Sequence, residues 1–157
     1  MVLDEAVRAA SELRDALSAE VEEAQQEGAL LRALDAPALM RRATARAEFN
    51  QRIERLDGTL KRTLAATAAK LGLAEVTIAG LAARDPAGAR ALSRSLAEIR
   101  ALASAMAELD RLNQFLAQRA LRVVRGYVEA LAPAPRAYDR MGQRATASQR
   151  AVLSTRV

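Results

Sequence analysis

The chain has 157 residues and a formal net charge of +5, and it contains neither cysteine nor histidine. These absences exclude disulfides, thiol nucleophiles and imidazole bases, and they remove most of the ligands that zinc and haem sites need. Hydrophobic residues make up 51% of the chain and aromatic residues only 3%, so a core must consist of many small aliphatic contacts. Strong helix formers dominate and no strand-length alternation occurs, which predicts an all-α fold.

Two long helices are predicted in the first half of the chain. The first is expected over Asp4–Leu34, where apolar residues recur at helical spacing and Gly28 is a weak point. The second is expected over Pro37–Leu71, because proline fits the first turn of a helix and a glycine follows its end. Residues 1–36 hold nine acidic and three basic side chains, which favours pairing with the more basic second helix.

The second half of the chain is predicted to contain one short and one long helix. Thr77 is a suitable N-cap for a short connector helix that covers Ile78 and Leu81. Asp85 then caps a third long helix, with Pro86 at its first position, and this helix is expected to reach Leu131.

A ladder of apolar residues at 4-3 spacing marks the third long helix. Such a seam must lie against other helices, because a single amphipathic helix is not stable alone in water. Asn113 is the polar exception, and it fits equally a register-setting core residue and a contact to a partner. Val124 and Val128 widen the stripe beyond one seam, which indicates a second partner. The ladder consists of Ile99, Leu102, Met106, Leu109, Asn113, Leu116, Ala120, Val123, Tyr127 and Ala130.

These elements predict an elongated antiparallel bundle of three long helices, with a short connector helix, over residues 1–132. Residues 133–157 contain Pro133, Pro135 and an excess of basic side chains, and we expect a flexible tail there. No apolar run approaches the roughly 20 residues of a membrane helix. The acidic first residues are unlike a signal peptide, so we expect a cytoplasmic protein without membrane insertion.

The amino-acid composition says less about the function of the chain than about its fold. Adjacent carboxylates on a helix point in different directions, so no catalytic pair is predicted and we expect no enzyme, metal or cofactor. The net charge leaves a nucleic-acid-binding helical protein as one alternative, and the seam leaves a structural coiled-coil oligomer as another. A cluster of arginines could contact phosphate, but pairing with the acids of the first helix is favoured; its members are Arg41, Arg42, Arg46, Arg52 and Arg55.

The order of parts resembles the FlgN family of flagellar export chaperones. Two long helices and a connector precede a longer helix with the sequence RLNQFLAQRALRVVRGYVEAL, and YDRMG follows in the basic tail. The most specific pieces are Leu112–Leu121 and, in the tail, Tyr138, Asp139 and Gly142. The family often has two asparagines three residues apart; here Asp110 replaces the first and Asn113 keeps the second.

The resemblance implies a chaperone that holds the hook–filament junction proteins FlgK and FlgL by their C-terminal helical segments. It prevents their premature association and delivers them to the export gate protein FlhA. Monomer and homodimer both fit the sequence, and no nucleic-acid partner is expected. The resemblance assigns client contact to Asn113, Leu116, Leu121 and Val124, with tail contacts at Tyr138, Asp139 and Gly142. The apolar face of the same helix adds Val123, Tyr127, Val128 and Leu131.

Overall fold

A computed structural model describes residues 2–131, which contain four helices and no strand. The helices are α1 (Asp4–Ala33), α2 (Ala36–Lys70), α3 (Ile78–Ala82) and α4 (Pro86–Leu131). The predicted all-α class is confirmed, and each long helix lies within one residue of its predicted bounds. The chain divides into two compact units, Met1–Leu121 and Arg122–Val157. The elongated antiparallel bundle stays a prediction, and the predicted flexible tail lies outside the described residues.

Side chains cap the helices where the sequence places short polar residues. The Asp35 carboxylate accepts a hydrogen bond from the backbone N–H of Ala38 at 3.0 Å, so α2 begins directly after the turn that ends α1. Thr77 accepts one from the N–H of Gly80 at 3.1 Å, as predicted. The turn before Asp35 holds Leu34 in the left-handed region at φ 55°, a conformation that usually selects glycine.

α1 and α2 form a helical hairpin, joined by Leu34 and Asp35, and they are the most closely packed pair of helices in the described residues. α4 contacts α1 at successive points: Arg14 forms an ion pair with Glu98 at 3.3 Å, and Asn113 contacts the backbone of Ala24. Because the contacts advance in the same order along both helices, α1 and α4 run in the same direction.

A group of leucines, which we call the apolar cluster, forms the core around the start of α1 and the start of α4. Its fully buried members come from three separate segments, so the cluster joins the N-terminus to the connector and to α4. Burial of each such side chain contributes about 1.5–3 kcal/mol. The apolar cluster consists of Leu3, Leu13, Leu60, Leu81 and Leu92.

Close packing at the start of α4 requires a glycine and a buried carboxylate. A Cβ at Gly88 would lie 2.8 Å from the Cβ of Leu3 and 2.6 Å from Asp85 Oδ2. Asp85 accepts hydrogen bonds from the N–H of Gly88 at 2.9 Å and from the N–H of Leu3 at 3.3 Å. The hydrogen bond from Gly88, with a smaller contribution from Leu3, lowers the pKa of Asp85 although burial opposes this shift. One carboxylate therefore caps α4 and fastens the start of α1 to it.

A second group, which we call the charged cluster, joins α1, α2 and α4 further along the helices. Glu20 and Arg42 are both buried and form an ion pair. Arg46 contacts Glu20 at 3.0 Å and Asp110 at 2.8 Å, so one guanidinium links acids on two helices. The charged cluster consists of Glu20, Arg42, Arg46 and Asp110.

Candidate functional site

The predicted site residues within Met1–Leu121 have different surroundings. Asn113 is 6% exposed, and its side-chain amide donates a hydrogen bond to the backbone carbonyl of Ala24 at 2.8 Å. Leu116 is half-buried, whereas Leu121 is exposed. The contact to Ala24 supports the interpretation of Asn113 as a register-setting core residue, because its amide is already used inside the protein.

A glycine on α1 explains how α4 comes close at Asn113. A Cβ at Gly28 would lie 3.2 Å from Asn113 Oδ1 and 3.6 Å from a methyl carbon of Leu116. Gly28 is buried in α1, and the sequence interpretation of this residue as a weak point missed its packing role. The absence of a side chain there leaves room for the polar side chain of Asn113 and for Leu116.

The last part of α4 carries the remaining predicted residues in the described chain. Residues 122–131 are all helical and all exposed. Their apolar members recur at a spacing that places them along one side of the helix, which we call the apolar stripe. Tyr127 is 66% exposed and Leu131 is 81% exposed, so large apolar groups face solvent here. The apolar stripe consists of Val123, Val124, Tyr127, Val128 and Leu131.

Exposure along the heptad ladder changes with position. Met106 and Asn113 are buried, and Leu109 and Leu116 are half-buried. From Val123 onward, every ladder residue in the described part of the chain is exposed. The same sequence pattern therefore serves internal packing early in α4 and leaves an uncovered surface at its end. The predicted tail contacts Tyr138, Asp139 and Gly142 lie outside the described residues.

Sequence reasoning missed a second exposed apolar group on α4. Phe115 is 54% exposed and Leu112 is 47% exposed, and neither lies on the heptad ladder. A signal for this group was present, because Phe115 is one of only two phenylalanines in the chain and falls outside the apolar seam.

The preferred pairing of the arginines with acids of the first helix is confirmed for two of them. Arg42 contacts Glu20 and, through Nε at 3.4 Å, Glu27. Arg46 contacts Glu20 and also lies over the ring of Phe49, with its guanidinium carbon 5.7 Å from the ring centre. These two guanidinium groups are occupied inside the protein, which makes them poor candidates for contacts to nucleic-acid phosphate.

The described residues offer no arrangement typical of metal or membrane chemistry. Among residues 2–131, no three carboxylates are grouped so that they could hold a metal ion. No helix in this part of the chain has the length and apolar character needed to cross a bilayer. The feature left to explain is the exposed apolar surface of α4.

Comparison with known proteins identifies the family. The FlgN family model, described as FlgN protein, matches residues 1–146. The chain belongs to the FlgN family. The match includes all four helices and the predicted tail residues Tyr138, Asp139 and Gly142. FlgN proteins are flagellar export chaperones, so membership indicates a chaperone role in flagellar assembly and not catalysis. No curated protein and no solved structure matches the chain.

Proposed function

We propose that this FlgN-family protein is a cytoplasmic chaperone for the hook–filament junction proteins FlgK and FlgL. It binds their C-terminal helical segments through the apolar stripe, prevents their premature association, and delivers them to the export gate protein FlhA. The observation that carries the proposal is the uncovered stripe from Val123 to Leu131 in a member of an export-chaperone family. The proposal assumes the elongated antiparallel bundle predicted from the sequence.

The chemistry of the stripe supports a helical client. Val123, Val124, Tyr127, Val128 and Leu131 recur at helical spacing and are exposed, which is the pattern of a helix that packs into an apolar groove or against another amphipathic helix. Exposed apolar groups clustered in this way are typical of interaction sites in soluble proteins. An unassembled client helix presents an apolar face of the same kind, so binding buries apolar area on both partners.

The proposal divides the predicted site residues by role. The stripe residues make direct client contacts, and Leu121 extends the exposed apolar surface within its own unit. Asn113 and Leu116 act by fixing α4 against α1, because their side chains contact or approach that helix. Tyr138, Asp139 and Gly142 complete the contacts from the tail, as the family resemblance implies.

A matched pair of charge substitutions on one helical segment tests the proposal. Val128→Asp places a charge in the apolar stripe, whereas Gly126→Asp adds the same charge where a side chain meets nothing within 4 Å. Full burial of a valine contributes about 1.5–3 kcal/mol, so Val128→Asp should weaken binding of the FlgK C-terminal segment by at least about tenfold. Gly126→Asp should leave the affinity nearly unchanged. Isothermal titration calorimetry with the full chain measures both affinities.

Two outcomes contradict the proposal. Equal affinities for Val128→Asp and the unsubstituted chain would place the client elsewhere, provided that circular dichroism shows both proteins to be equally helical. An affinity of the unsubstituted chain that falls steeply with salt would point instead to a charge-dominated contact, because burial of apolar surface responds weakly to ionic strength.

A further inference from the structure

The apolar stripe and the tail belong to one compact unit, Arg122–Val157. Every residue of the stripe is exposed, and the fraction reaches 81% at Leu131. The chain continues beyond this last residue of α4 for 26 residues, 132–157. A cover for the stripe can therefore come from the same chain, provided that the tail has the required length and sequence.

The junction after α4 favours a reversal of the chain. Pro133 and Pro135 cannot continue the helix, because proline lacks a backbone N–H and clashes with the preceding turn. If Leu131 and Tyr138 are the first residues to face each other, residues 132–137 connect them. Connections between packed helices commonly have about 2–8 residues. This length allows residues 138–149, which we call the return segment, to run back along the end of α4.

The return segment repeats the 4-3 spacing of the heptad ladder. Its apolar residues Tyr138, Met141 and Ala145 are separated by three and then four residues. They share one face when the segment is helical, and that face matches the stripe in length. In the antiparallel register three apolar pairs face each other, namely Leu131 with Tyr138, Val128 with Met141, and Val124 with Ala145.

The charges beside this seam are compatible with the antiparallel direction. Arg122 and Arg125 lie on one side of the stripe. In this register they face the flank of the return segment that contains Asp139 and no arginine. The arginines of the return segment lie on its other flank, toward Tyr127, where a guanidinium can stack on the ring. The pairing therefore brings no two arginines together.

We propose that the return segment packs against the apolar stripe while no client is bound, and that a client displaces it. The described residues 122–131 show the stripe in its open form, which is the form that binds a client. The contact is weak, because Gly142 destabilises a helix and only three apolar pairs are buried. Covering the stripe limits association of free molecules through their exposed apolar groups. Displacement by a client rests on the proposed function, whereas the contact itself does not.

Disulfide formation in the full chain tests the contact, because the natural sequence contains no cysteine. Two pairs place thiols at facing positions, Val128→Cys with Met141→Cys and Val124→Cys with Ala145→Cys. Gly126 lies on the opposite face of α4, where a side chain meets nothing within 4 Å. Gly126→Cys combined with each tail cysteine is therefore the matched control. The loops closed by a facing pair and its control differ by two residues, which changes the closure entropy little.

The rates of closure are compared in dilute protein with oxidised glutathione. Each facing pair should close at least about tenfold faster than its control, because packing raises the effective concentration of the thiols. Mass spectrometry distinguishes intramolecular disulfides from dimers, and circular dichroism checks that helicity is unchanged. Equal rates for the facing pairs and their controls overturn the proposal.

A substitution within the return segment tests whether its apolar face makes the contact. Tyr138→Ser should slow closure between the cysteines at positions 124 and 145. Gln143→Ser, on the opposite face of the return segment, should leave that rate unchanged. The proposal is also overturned if Tyr138→Ser has no effect or if the two substitutions slow closure equally.

Addition of the FlgK C-terminal segment tests displacement. A client on the stripe should lower the closure rate of the facing pairs and leave the control pairs unchanged. An unchanged rate at a concentration that saturates the unsubstituted chain contradicts displacement. Closure without client decides whether the return segment covers the stripe, and the titration of Val128→Asp decides whether a client binds there. Failure of the contact and failure of the proposed function are therefore distinguishable.

Discussion

The apolar cluster and the charged cluster hold the same three long helices together by different physical means. Leu3, Leu81 and Leu92 are fully buried in the first, whereas Glu20 and Arg42 are buried in the second. The free energy of apolar burial follows the area removed from water and does not depend on the direction of a bond. Ion pairs and the amide contact of Asn113 depend on direction and are lost if a helix shifts. We infer that the apolar cluster supplies stability and that the charged cluster fixes the register of α4.

The largest expected effect comes from breaking the charged cluster on one side only. Glu20→Leu leaves the buried Arg42 without its main partner, and loss of one member of a buried pair costs about 3–5 kcal/mol. The double variant with Arg42→Met should recover most of this loss, since an apolar pair of similar volume needs no charge compensation. Urea unfolding measures the free energy of unfolding for each variant. A double variant as unstable as the single one would assign the loss to packing and weaken the contrast between the clusters.

A smaller effect is expected from adding one methyl group beside the apolar cluster. Gly88→Ala places a carbon 2.8 Å from the Cβ of Leu3, and overpacking of this kind costs about 1–3 kcal/mol. Gly58→Ala is the matched control, because the new methyl meets only the end of the Arg62 side chain at 3.4 Å. This control should stabilise α2 by up to about 1 kcal/mol through helix propensity. Thermal unfolding should therefore shift in opposite directions; equal shifts would show that the approach of Leu3 is not tight.

The smallest expected effect concerns pH and Asp85. Hydrogen bonds from Gly88 and Leu3 lower the pKa of Asp85 in the folded protein, so its ionised form contributes stability above the pKa of the unfolded state. That contribution decreases as pH falls below about 4 and is lost as pH passes the lower folded-state pKa. The difference in melting temperature between the unsubstituted chain and Asp85→Asn should be largest near neutral pH and shrink in acid. A difference that is constant down to the acid limit would mean that the charge of Asp85 does not matter.

The helix ends could be predicted from the sequence because their signals are local. Proline, glycine and short polar caps act within one turn, and Thr77 and Asp85 cap the predicted helices. The second role of Asp85 could not be predicted in this way, since its partner Leu3 is 82 residues distant. Gly28 is a second case in which a distant contact could not be predicted. Its local sequence indicates only that glycine destabilises a helix, whereas its packing role depends on Asn113, which lies on another helix.

The sequence predicted which residues of the candidate site share one face of α4, but it did not predict which of them are exposed. The heptad ladder continues from Ile99 to Ala130 without a break, and nothing in its period distinguishes covered positions from exposed ones. The structure adds the burial of each position: Met106 and Asn113 are buried, whereas the described ladder residues from Val123 onward are exposed. Phe115 was missed for a different reason. It does not belong to the heptad ladder, and the sequence analysis considered only the face of the helix that carries the ladder.

The short turn at Leu34 and Asp35 brings α1 and α2 together over a small sequence separation, and this affects the order in which the contacts of the chain can form. The contact between Glu20 and Arg42 closes a segment of 22 residues, whereas the contact between Leu3 and Asp85 closes one of 82. Loop-closure entropy makes the longer closure more expensive by about 1 kcal/mol. During synthesis, the first two helices can therefore pair as soon as they leave the ribosome, and they are ready to receive α4 when it emerges.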